Sequence, residues 1–475
     1  MTKRALGALI EQWVTDHREE MVEELKGWVS HPSVSRADLA RPGAPFGPDC
    51  REMLDYALER GRACGFKAED HEGYCGSVLY GESPEEIGIV CHLDVVPEGE
   101  HWLYAPYDPV ERDGFLMGRG VADNKGAAVL GLFLMRFLKE NDIPLRSSVR
   151  LMLGCAEETG MADFAHYVKD LLGPVPRVSL VADANFPVCY AQKGGYKAAF
   201  RVPAGGNIVD AEAGSVRNII PETAALTVSG ITAEKAWEHL AGIENIHVEP
   251  AGENIRLTAH GKAGHAAHPE SGKNAIAMLS AAAAVLEEKS GLDLRGMRFL
   301  AEAFASPYGE GLGVDYQDEE SGALTVNAGV LKKTGGTLCL DIDIRYPVTQ
   351  QAEDITAALR QRAAAAGGEL TDVHVSDKYF IDPKDRRVQA LMDAYRTVTG
   401  DDAPAYTMGG GTYSRVLPDA ITFGPALRDE PKADFLPEGH GGVHGPDEAL
   451  HIESWLTGLK IYIRSVLRLD EVLHS

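Results

Sequence analysis

Cysteine is sparse in this chain: its 475 residues include 7 cysteines, scattered and with no CxxC pair. An odd, dispersed set fits reduced thiols in a cytosol better than a disulfide scaffold. Cys91 and Cys155 each lie in an apolar run and read as small core residues. Basic residues are also in deficit, 46 Lys+Arg against 71 Asp+Glu, for a formal net charge of -25. That field repels nucleic acid and anionic lipid, so neither is expected as a partner. Long apolar runs are missing as well. The longest, near Asn274 to Leu286, is Ala-rich and stops at Glu287, too short to span a bilayer. Near the N-terminus Glu11 interrupts the apolar stretch before a signal-peptide core could form. A cytoplasmic enzyme or binding protein is the starting expectation.

What is present is a soluble globular balance, and 475 residues exceed what one hydrophobic core organises, so two or more domains are expected. Leu6 to Ser30 carries apolar residues at helical spacing (Leu9, Ile10, Trp13, Val14, then Met21, Val22, Leu25, Trp28), which predicts one amphipathic helix ended by Pro32. Arg51 to Cys64 reads as a second helix. Strand-like runs at Ser77 to Tyr80, Ile87 to Cys91, Arg150 to Gly154 and Val178 to Val181 alternate with helices such as the apolar stretch after GRGVADNKG. This alternation predicts an α/β catalytic domain, a mostly parallel sheet with helices on both faces. After about Pro187 the pattern changes to hairpin-like strands (YKAAFRV, AALTVSG, NIRLTAH, TLCLDIDIRYP) with helices at 274–288 and 352–366. We read residues 187–381 as an inserted α+β lid domain, flanked by catalytic segments 1–186 and 382–475.

Chemistry concentrates at strand ends. EIGIVCHLDVVP, residues 86–97, begins as a buried strand and closes on His92 and Asp94. Side chains at i and i+2 share a face, and open α/β sheets bind ligands where their strands end. Asp123, the Glu157-Glu158 pair and Asp183 close three further segments, and His444 lies in a late Gly-rich loop. Two imidazoles with several carboxylates form the ligand set of a two-metal hydrolase centre. The adjacent Glu157 and Glu158 suit a division into one ligand and one base.

HLDVVP, GRGVADNKG, CAEETG, VADANFP and GGVHGPDE, in that order, resemble the motif series of the M20 metallopeptidase family. SVRNIIP, GKAGHAAHPESGKNA and IDIRYP resemble its lid motifs, and GGGTYSR with the overall length looks most like the PepV-type, carnosinase-like (Xaa-His) dipeptidase branch. The resemblance implies a zinc-exopeptidase-like fold and two divalent ions, Zn²⁺ first, with Mn²⁺ also accepted by such ligands. It implies that His92 and Asp183 hold one ion and His444 and Glu158 the other, with Asp123 bridging. Glu157 would be the general base for a metal-bridging water, and Asp94 would orient His92 or tune Glu157. From the lid, His265 would stabilise the oxyanion, while Asn218, Arg345 and the glycines Gly410 and Gly411 would hold the substrate backbone and C-terminal carboxylate. His268 reads as a loop residue near His265, Asn124 as no ligand, and His17, His31, His71, His101 and His440 as surface or structural.

The family motifs accompany several reactions. Asp at position 183 and a lid about twice the length usual in the dimeric deacylase branch favour a dipeptidase acting on small dipeptides, with a monomer sufficient. The alternative is an N-acyl amino acid deacylase or desuccinylase. An idle metal-binding module would lack Glu157 or a ligand, and none is missing.

Overall fold

The computed structural model describes residues 2–475. The first amphipathic stretch forms two helices, α1 (Lys3–Asp16) and α2 (Arg18–Val29), where its spacing predicted one. The break falls at His17, whose φ of -101° and ψ of 4° leave the helix. Its ring bonds the Trp13 carbonyl through Nδ1 at 2.7 Å and stacks on the Trp13 indole at 4.0 Å, while the Thr15 hydroxyl donates to the Glu11 carbonyl. Side chains that compete for helix carbonyls interrupt the ladder without altering apolar periodicity.

The chain continues through α3 (Pro48–Ala63), β1 (Lys67–His71), β2 (Cys75–Tyr80), β3 (Glu86–His92), α4 (Lys125–Glu140), β4 (Ser148–Gly154), α5 (Ala162–Lys169), β5 (Val178–Val181) and β6 (Val188–Gln192). Next come β7 (Gly194–Pro203), β8 (Ile208–Ala213), β9 (Thr223–Val228), α6 (Ala233–Leu240), β10 (Ile246–Ala251), β11 (Asn254–His260), α7 (Ala275–Ser290), α8 (Arg295–Ala303), β12 (Thr325–Thr334), β13 (Thr337–Tyr346), α9 (Ala352–Ala365) and β14 (Glu369–Ser376). It closes with α10 (Arg386–Thr399), β15 (Ala420–Phe423) and α11 (Ile452–Leu473). Two compact units result: Met1–Tyr190 with Ile381–Tyr406 and Thr412–Ser475, and Ala191–Phe380 with Thr407–Gly411.

In the first unit the sheet runs β1-β2-β4-β3-β5-β15-β6. The pairs β3/β4, β3/β5 and β5/β15 are parallel, and the flanking pairs are antiparallel, so the sheet is mixed with a parallel centre. β3 is buried from Ile87 to His92, and α4 is apolar nearly all round, with Leu130, Leu132, Phe133, Leu134 and Phe137 in the same core. Each such side chain contributes about 1.5–3 kcal/mol through burial, which fixes the sheet firmly beneath its loops. Register pairs His92 with Gly154 and Val90 with Val181. The carboxyl ends of β3, β4 and β5 therefore finish level, and the loops after them share one edge.

The second unit is built on an eight-stranded antiparallel sheet, β10-β11-β9-β8-β12-β13-β7-β14, with α7 against β9 and β11 and α9 against β7. Asn274 caps α7 by accepting from the amides of Ile276 and Ala277, and Gly291 ends it at φ 72°. Among the described residues no helix is long and apolar enough to cross a membrane.

Candidate metal centre

β3 delivers His92 to the sheet edge in a fixed orientation. Its Nδ1 donates to the Asp94 carbonyl at 2.8 Å, and a carbonyl only accepts, so Nε2 is the nitrogen left for a ligand role. Nε2 lies 2.9 Å from Asp123 Oδ1 and 3.8 Å from Asp183 Oδ1. The other oxygen of Asp123, Oδ2, lies 3.0 Å from His444 Nε2, and that nitrogen is 2.9 Å from Glu158 Oε1. Asp123 thus presents one oxygen to each imidazole. Asn124, after a cis Asp123–Asn124 peptide, accepts from the His92 amide and donates to the Ala182 carbonyl at 2.7 Å, a strut between β3 and β5.

Asp94 acts through two different groups. Its carbonyl orients the His92 ring, whereas its buried carboxylate accepts from the amides of Glu157 and Glu158, each at 3.1 Å. Asp163 Oδ2 accepts from the amides just before that pair, of Cys155 and Ala156, at 2.6 and 2.9 Å and from the Tyr413 hydroxyl at 2.5 Å. A Cβ on Gly154 would sit 2.0 Å from that hydroxyl, so only glycine fits there. Two buried carboxylates therefore shape the turn that carries Glu157 and Glu158.

The loop of Asp123 has its own clamp. Glu448 Oε1 accepts from the amides of Ala122 and Asp123 at 2.9 and 3.0 Å, and Oε2 accepts from the Gly120 amide and Arg119 Nη1 at 3.1 and 2.7 Å. Arg119 and Glu448 are both 1% exposed, a pair that stays closed only while both charges are present. Sequence reasoning passed over Glu448, although it lies four residues beyond His444 in the same motif. Glu448→Gln is expected to cost about 3 kcal/mol of stability, because it leaves Arg119 buried without its counter-charge. Denaturant unfolding measures this, and an unchanged midpoint would show that the clamp holds nothing. His440, read as surface or structural, bonds Asp447 through Nδ1 at 2.5 Å.

The centre is strongly acidic. Burial, reinforced by the charge on Asp183, pushes the Glu157 carboxyl well above the usual range. Burial also raises Glu158, against the hydrogen bond from His444, and raises Asp183 against that from His92. At Asp123 burial opposes the shift, but hydrogen bonds from His444 and His92 hold the carboxyl low. Hydrogen bonds to Asp123 and Glu158 push the His444 imidazole up to about 10. Such a cluster calls for positive charge, and its donors suit divalent cations. The ligand atoms of His92, Asp123 and Glu158 lie within 4.8 Å of one another, as do those of His92, Glu157 and Asp183. Imidazole and carboxylate together are a ligand set Zn²⁺ and Mn²⁺ accept.

The remaining predicted site residues lie in the second unit. Ile219–Ile220 pairs with Gly264–His265, and the Ala266 amide donates to the Asn218 carbonyl at 2.9 Å, so Asn218 and His265 are neighbours. His265 Nδ1 accepts from the Ala267 amide at 3.2 Å, which leaves the neutral ring's proton on Nε2. Asn327, missed in the sequence, donates from Nδ2 to the carbonyls on either side of Asn218, of Arg217 and Ile219, each at 2.9 Å. Its Oδ1 accepts from Asn274 at 2.9 Å, and that Asn274 caps α7 in the motif containing His265 was the available signal. Arg345 is bidentate to Asp343 at 2.7 and 3.2 Å and donates from Nη1 to the Gly409 carbonyl at 3.2 Å, next to Gly410 and Gly411. One N–H on each terminal nitrogen remains beyond these bonds. His268 lies in the loop after His265, its Nδ1 3.4 Å from Glu270.

The α/β fold thus carries, in the loops at the carboxyl ends of its parallel strands, a cluster of His and carboxylate side chains that could hold metal ions. Residues 88–468 match the model of Peptidase family M20/M25/M40, and the chain belongs to that family of peptide hydrolases. It is 29% identical over 469 residues to the "Putative dipeptidase" of Bacillus subtilis, covering 95% of this chain and 97% of that one. Among solved structures it resembles a dipeptidase from Saccharomyces cerevisiae (TM-score 0.59, 13% identity, 98% of both chains) and human carnosine dipeptidase 1 (TM-score 0.56, 15% identity, 98% and 99%). At these identities the likeness to solved structures is one of fold.

Proposed function

We propose that this protein is a dinuclear-metal dipeptidase acting on dipeptides with a free N-terminal amine and a free C-terminal carboxylate. The observation that carries the reading is Asp123, whose two oxygens face His92 and His444 at 2.9 and 3.0 Å with Glu158 and Asp183 alongside. His92 and Asp183 would hold one ion, His444 and Glu158 the other, and Asp123 both. Bound there, the ions, Zn²⁺ or Mn²⁺, supply Lewis-acid polarisation and lower the pKa of water.

The chain's own groups do the rest. Glu157 takes the proton of the attacking water and returns it to the leaving amine, a task its raised carboxyl suits. We assign oxyanion stabilisation to His265, whose Nδ1 accepts from the Ala267 amide and leaves Nε2 for that role. Asn218 holds the substrate backbone, and Arg345 with Gly410 and Gly411 holds its carboxylate, since a guanidinium matches a carboxylate through parallel hydrogen bonds. That relatives similar over nearly the whole chain carry the name "Putative dipeptidase" supports this choice over N-deacylation.

The test is hydrolysis of Ala-Ala and β-Ala-His against N-acetylornithine and N-succinyl-diaminopimelate, each with Zn²⁺ or Mn²⁺ added. Turnover of the dipeptides is expected. Turnover confined to the acylated compounds would replace the dipeptidase reading with a deacylase.

A further inference from the structure

A cavity of about 240 Å³ adjoins the metal centre within the first unit. Asp123 and Asp183 form one side, Leu450, Trp455 and the exposed Val443 give apolar wall, and Glu430 adds one further carboxyl. No lysine or arginine is among the described residues lining it. Asp123 and Asp183 belong to the ligand set, so their charge is answered by the ions. Glu430 is not part of that set. Its one hydrogen bond among the described residues is at Oε1, from the Leu427 amide at 2.7 Å, and no basic side chain pairs with it. Burial raises its carboxyl, the cost of setting an acid against apolar walls without a counter-charge.

We propose that this cavity receives the substrate's N-terminal residue and that Glu430 binds its free ammonium. This rests on the dipeptidase reading and adds the group that enforces it. An ammonium supplies the missing counter-charge and forms a charge-assisted hydrogen bond with Glu430. An acylated or deaminated substrate brings no cation, so the half-buried carboxylate stays without a counter-charge. Selection against such a substrate follows from what it leaves unsatisfied. The hydrogen bond from Leu427 has a different job, setting the turn that aims the side chain.

The experiment compares wild type and Glu430→Gln, as the full chain loaded with the activating ion. The substrates are Ala-Ala, Lys-Ala and propionyl-alanine, which is Ala-Ala without its amine. Gln keeps an acceptor for the Leu427 amide and removes the charge. In the variant kcat/KM for Ala-Ala should fall roughly tenfold to a hundredfold, mostly in KM, the worth of one charged hydrogen bond, and that for propionyl-alanine should stay within about twofold. Metal content and thermal midpoint should match wild type. An equal fall for both substrates would assign Glu430 a merely structural role and overturn the proposal. No fall for Ala-Ala would overturn it too, and a fall confined to Lys-Ala would make the pocket a side-chain reader instead. Wild type that ignores Ala-Ala would sink the dipeptidase reading itself, and this inference with it.

Discussion

Glu157→Gln is expected to lower kcat roughly 10²–10⁴-fold while the metal content of the protein persists. The substitution keeps the volume and one acceptor oxygen of the side chain and removes only its capacity to take a proton. Glu157 is half-buried beside Asp183, and both its partial burial and that neighbouring charge raise its carboxyl. A carboxylate whose affinity for protons is raised toward the working pH is a better base than an ordinary glutamate. The geometry also brings Glu157 within 4.8 Å of the ligand atoms of His92 and Asp183, so its role as base must be separated from a role as ligand. Elemental analysis of the purified variant beside its turnover makes the separation. Lost activity with retained metal supports the base. Loss of an ion would make Glu157 a ligand, and retained activity would remove it from the chemistry.

The residues legible in the sequence are those whose chemistry is written in their own side chains. His92, Asp123, Glu157, Glu158, Asp183 and His444 could be placed because each closes a strand-like run or sits in a Gly-rich loop, and the structure brings all six together in the first unit. Asp94 was legible beside His92, but two further groups that position them were hidden for a physical reason. Asp163 and Glu448 act by accepting backbone amides of residues up to 328 positions away. A backbone amide has no identity in the sequence, so such partners leave no pattern to read. Asn327 is a similar case, since it is recognised only by the carbonyls it reaches on both sides of Asn218. The fold was legible where periodicity is strong, as in β3 and α4, and failed at His17, where a side chain captures a carbonyl without disturbing apolar spacing. α8 escaped notice although Met297, Leu300 and its neighbours keep helical spacing, because its Gly296 and flanking loop residues weaken the local signal.

The two residues of the His-x-Asp pair should separate in experiment. His92→Ala is expected to empty at least one metal position and reduce turnover to background, because His92 belongs to both groups of converging ligand atoms. Asp94→Asn should leave most of the metal in place and lower kcat about a hundredfold. The reason lies in what Asp94 holds. Its two carboxylate oxygens each accept a backbone amide, from Glu157 and from Glu158. An asparagine presents its NH₂ to one of those N–H groups, donor against donor, and a buried amide left unpaired costs about 1–3 kcal/mol. The turn relieves this by shifting, and a shift near 1 Å in a catalytic group is enough for the expected loss. Glu158 retains its contact with His444, and the Asp94 carbonyl that orients His92 is unchanged by the substitution. Metal content measured beside kcat decides the matter: equal metal loss in the two variants would refute the division, and normal turnover in Asp94→Asn would show that the turn holds without its carboxylate.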